Sequence, residues 1–163
     1  METIETLISD NRGNHLVVAL YFYEDVDKIE SFNIPIEFFD LDIADININK
    51  LDLEKPIAIS AFLKMNQWLL EQFLLFPNAV FTFICSTQAL ETRHKGIQPE
   101  YYRWRLFDAL TQRCRPRLSE SGINVSDIIV GPEGYQTYAR IFYRDKHAPV
   151  IHLVIDHIES KYH

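Results

Sequence analysis

Arg93-His94-Lys95-Gly96-Ile97 stands just ahead of Pro99-Glu100, a proline and an acid of the kind that open a helix. The free backbone amides of such a start and the positive end of its dipole favour an anion. Arg93, Lys95 and Arg103 around Gly96 are therefore expected to form a cationic ridge suited to a phosphate-like ligand. Arg103 and Arg105 flank Trp104, yet at about 100° per residue they point to different flanks of the helix, so a clamp needs the loop as well. The competing expectation is that these cations lie over the helix edges and pair with acids elsewhere in the chain.

Those acids are concentrated. Residues 1–56 hold 13 acids against 4 bases, whereas residues 93–117 hold 7 bases against 2 acids, within a chain of net charge −7. Such polarity can offer one surface to an anion and another to a basic protein. Asp40, Asp42 and Asp45, with Trp68 as an aromatic anchor, are the expected contacts for a basic partner. The acidic balance and a pI near 5.3 argue against nucleic acid, which needs a broad basic face.

Other arrangements carry less. Cys85 and His94 could form a thiol–imidazole pair, but a cysteine ending the apolar run AVFTFIC is expected to be a buried small residue. The histidines show no pair one helical turn apart, and His152 and His157 are expected on opposite sides of a strand. Asp40, Asp42 and Asp45 lack the glycine and closing glutamate of a calcium loop. No catalytic residue, metal site or cofactor is expected.

The elements that must position these residues follow from hydrophobic period. Met1–Asn11 reads as one or two helical turns, His15–Tyr23 as a strand, and Phe32–Ile43 as its partner, an edge strand or one that begins at Pro35, which lacks an amide hydrogen. Residues 44–55 lack a firm pattern. A core helix is expected over Ile57–Phe76, its surplus of Trp68, Leu69, Leu75 and Phe76 suggesting a second contact face or a dimer. Ala79–Cys85 reads as a central strand covered on both faces, followed by a helix from Pro99 that Pro116 ends. Val125–Val130, Tyr135–Tyr143 and Pro149–His157 read as an antiparallel meander. The expectation is one α+β domain over residues 1–163, ordered ββ-α-β-α-βββ, with two helices on a largely antiparallel sheet. No apolar run reaches the ~20 residues of a bilayer span. Two cysteines and no secretory leader pattern point to the cytoplasm.

The segment from Phe81, Ile84 and Cys85 through a polar loop to Tyr102, Arg103, Arg105, Leu106 and Phe107 resembles small uncharacterised proteins of Bacteroidetes bacteria grouped as a domain of unknown function. The resemblance covers residues 57–115 and implies a bacterial cytosolic protein with no activity to carry over. Arg93 and Gly96 also resemble part of the acetyl-CoA pyrophosphate loop of GNAT-type acetyltransferases, although Gln98 stands where that loop has a small residue. That second resemblance implies an acyltransferase using residues 93–105. Three functions are thus carried forward: a non-enzymatic, immunity- or antitoxin-like module for a basic protein, an enzyme of anionic ligands, and a homo-oligomeric structural subunit.

Overall fold

A computed structural model describes residues 2–50, 58–85, 99–132 and 136–162, and gives the backbone alone for residues 50, 99–107 and 110. Six strands make one mixed sheet: β1 (Glu2–Ser9), β2 (His15–Phe22), β3 (Asp42–Lys50), β4 (Ala79–Cys85), β5 (Ile123–Val130) and β6 (Thr137–Arg144), in the order β1-β2-β3-β4-β6-β5. All neighbours are antiparallel except β3 and β4. The fold is α+β. Helices α2 (Ile59–Leu75) and α3 (Pro99–Glu120) lie on one face and α4 (Ile151–Tyr162) on the other, while the short α1 (Asp25–Glu30) follows β2.

β4 is central, as its uncharged run predicts. Phe81, Phe83 and Cys85 enter the core under α2 and α3, and Val80 enters the one under α4. Phe73 stacks against both Phe81 and Phe142, with ring centroids 4.6 and 4.9 Å apart. Each such buried ring is worth roughly 2–3 kcal/mol of transfer free energy.

Three elements differ from expectation. The first residues form β1 rather than helical turns: Ile4, Thr6 and Ile8 alternate with Thr3, Glu5 and Leu7, and only Ile8 of these is fully buried. Phe32–Ile43 is not a strand. Asn33 has φ 56°, a 3-10 turn occupies Ile36–Phe38, and Ile36 is 83% exposed although Ile34 is buried. The partner strand is instead β3, whose Ala44, Ile46 and Ile48 face the core while Asp45, Asn47 and Asn49 face away. It is interior, not an edge. The residues from Ile151 form α4, burying Ile151, Val154 and Ile158 at helical spacing despite their β-branching. The third strand of the meander is therefore a helix, and the two histidines predicted on it are helical. α3 also continues through Pro116 to Glu120, because Leu118 buries its side chain and anchors the last turn.

Asp10 ties the first hairpin to α2. Its carboxylate accepts from the amides of Ala58 (3.0 Å), Asn14 (2.8 Å) and Arg12 (2.8 Å). Ala58 is the N-cap of α2 and has no capping side chain of its own, so Asp10 serves as cap from another element. These amides, that of Ala58 foremost, hold the Asp10 carboxyl well below the usual carboxylate range.

Candidate functional site: an acidic cleft at one end of the sheet

β1 and β3 start, and β2 ends, at the same end of the sheet. The consequence is a cleft of about 370 Å³ lined by Glu2, Phe22, Tyr23, Glu24, Asp25, Lys28, Asp42 and Phe76. Its apolar part is a ring pair, Phe22 and Phe76, with centroids 5.1 Å apart. Four carboxylates and one ammonium form the rest, a local excess of three negative charges.

α1 places the charges. Glu24 is its N-cap, and it exchanges hydrogen bonds with Asp27 in a capping box, which sets Asp25 at the first turn facing Lys28. The Lys28 ammonium is 3.1 Å from Asp25 and 3.4 Å from Asp42, and it lies 5.8 Å from the centre of the Phe39 ring. Lys28 is 4% exposed, whereas the side chains of Asp25 and Asp42 are 78% and 49% exposed. One buried cation therefore gathers two acids that still face solvent. The arrangement suits guanidinium or ammonium groups, with rings beneath for the flat face of an arginine.

The expected partner residues separate. Asp40 is exposed, just ahead of β3, and Asp42 lies in the cleft. Asp45 is on the opposite face of β3, where it accepts from the hydroxyls of Tyr23 (2.5 Å) and Thr82. Burial, then the Asp45 charge, pushes the Tyr23 phenol above its ordinary range, so it stays protonated at the cleft's inner edge. Trp68 is half-buried and packs against the α2 side of the core. Arg93, His94, Lys95 and Gly96 lie outside the described residues; Arg103 is on α3, and its side chain lies outside them too. Cys85 is buried and Cys114 half-buried, and neither is in a disulfide.

Sequence reasoning missed Phe22, Glu24, Asp25, Lys28 and Phe76 as one group. The dense acids of residues 24–45 were the available signal; the rings were not, because both read as core. It also missed Ser9 Oγ and His15 Nδ1, 2.6 Å apart across the first hairpin. That pair lines neither the acidic cleft nor the small one beside Asp45 and α4. Among the described residues no three His, Cys, Asp or Glu side chains are disposed to hold a metal, and no helix is long and apolar enough to cross a membrane. Comparison with family models, with curated proteins and with solved structures returned no match.

Proposed function

We propose that this chain is a non-catalytic cytosolic module that binds a basic segment of a partner protein in the acidic cleft. The supporting observation is the combination of four carboxylates, a single cation and an aromatic floor around one volume of about 370 Å³. A binding module needs complementary charge and a concave surface, and the cleft supplies both. Among its described lining residues no nucleophile has an adjacent base, which favours binding over chemistry.

The test is titration of the isotope-labelled protein with a blocked Arg-Arg peptide at low and high salt. Amide shifts should centre on Glu24, Asp25 and Asp42 and collapse in salt. Lys28→Met removes the only cation among the described lining residues, and a unit charge about 8 Å from the ligand is worth about 0.5–2 kcal/mol over effective dielectrics of about 80 to 20, so affinity should rise about fivefold. Asp42→Asn should lower it by a similar factor. Shifts elsewhere, or an affinity indifferent to both substitutions, would sink the reading.

A further inference from the structure

α2 carries a second surface that the cleft does not use. Its inward face is Ala61, Met65, Leu69, Gln72 and Phe73. Ile59, Leu63 and Leu74 are nevertheless 59%, 40% and 52% exposed. At about 100° per residue these three and the buried Leu70 fall within about 60° of arc, a stripe along a helix of roughly 25 Å. Ile59, Leu63, Asn66 and Leu70 follow one another at steps of four, three and four residues, the pattern of a coiled-coil seam with one polar position.

The stripe is also palindromic. About the midpoint between Asn66 and Gln67, Ile59 mirrors Leu74 and Leu63 mirrors Leu70. A two-fold axis at that point sets the exposed Ile59 against the exposed Leu74 of a second copy, and the exposed Leu63 over the position of Leu70, which is itself only 8% exposed, as a self-complementary interface requires. The charges agree. Lys64 and Glu71 are the helix's two ionisable residues, both exposed, and they lie about 20° apart on one flank but in opposite halves. Antiparallel pairing sets Lys64 about 3 Å along the axis from the partner's Glu71, twice by symmetry, whereas parallel pairing levels like charges. Lys64 is kept on that flank by the Ser9 carbonyl, to which its ammonium donates at 3.0 Å.

We propose that α2 is a homodimer interface, in which two copies of this chain pack the Ile59–Leu74 stripe antiparallel about an axis between Asn66 and Gln67. A single-helix seam is at the small end of specific interfaces, which places its dissociation constant in the micromolar range.

Sedimentation velocity between about 5 and about 200 µM tests this: the mean mass should climb from 19.2 kDa toward twice that value. Leu63→Lys should raise the dissociation constant at least about tenfold while leaving the far-ultraviolet spectrum unchanged. Should that variant fail to fold, Gln67→Cys in a Cys114→Ser background decides: it should cross-link to itself on mild oxidation, and Ile59→Cys should not. A wild type that stays monomeric throughout, a dimer untouched by Leu63→Lys, or self-linkage through Ile59→Cys overturns the proposal.

Discussion

Arg140 is fully buried on β6 beneath α3, and its two acids are not. Its Nε and Nη2 donate to the two oxygens of Asp127, its cross-strand neighbour on β5, at 2.6 and 3.0 Å. Nη2 also donates to Asp108 of α3 at 2.5 Å. The carboxylate side chains are 43% and 40% exposed, so the cost of desolvation falls almost wholly on the guanidinium. Burial is the largest single influence on the Asp108 carboxyl and raises it, but the hydrogen bonds from Arg140 and Gln112 and the charges of Arg140 and Arg115 together outweigh it, and the net shift is downward. Asp127→Ala should therefore hurt more than Arg140→Met. Two charge-assisted bonds at about 1.5–3 kcal/mol each, halved because Asp127 is half in water, give a loss of about 1.5–3 kcal/mol. Arg140→Met exchanges a buried cation for an apolar chain of similar length and frees two acids to solvent, at about 1 kcal/mol or less. The double variant should resemble Arg140→Met and be about 1–2 kcal/mol more stable than Asp127→Ala alone. Urea unfolding followed by circular dichroism, with the slope checked for constancy, measures all three. If the two losses simply add, the cost does not lie in a stranded guanidinium and the reasoning fails.

Two further outcomes follow from single residues. His147 is 2% exposed, and its Nδ1 has no hydrogen-bond partner among the described residues. Burial first, then Lys146, pushes the imidazole below its ordinary value, while Asp40 pulls the other way. The folded chain thus holds His147 neutral. Stability should be level with respect to this group above pH about 6.5 and fall as pH drops below it, by at most about 1.4 kcal/mol per unit. His147→Phe should flatten that slope, and an unchanged slope would exclude His147 as its source. Gly122 ends α3 at φ +73° with nothing within 4 Å of an added Cβ. Gly122→Ala should cost about 1 kcal/mol through backbone strain alone, seen as a lower melting temperature without a change in the spectrum of the folded state.

How much of this is legible in the sequence depends on how local the cause is. β4, α2 and the β5–β6 hairpin could be read directly, since an uninterrupted apolar run or a clear period reports burial without reference to distant residues. The helix from Pro99 was legible at its start and wrong at its end, where Leu118 outweighs Pro116. α4 was misread because Ile151, Val154, Ile155 and Ile158 favour strands by type while their burial follows a helical period. β3 was missed because DIADININK looks polar until one sees that β2 and β4 flank it and that Ala44, Ile46 and Ile48 face one core while Ile43 faces the other.

Composition and spacing alone determined the α+β class, the central apolar strand, the main core helix and the acidic character of the first third of the chain. Tertiary structure alone decided which acids act together. Asp42 and Asp45 are three residues apart and so leave β3 on opposite faces, and only the meeting of three strand ends with α1 brings Glu2, Glu24, Asp25 and Asp42 to one cleft around Lys28. Charge is written residue by residue, whereas a concave site depends on which distant backbone ends the packing of the core brings together.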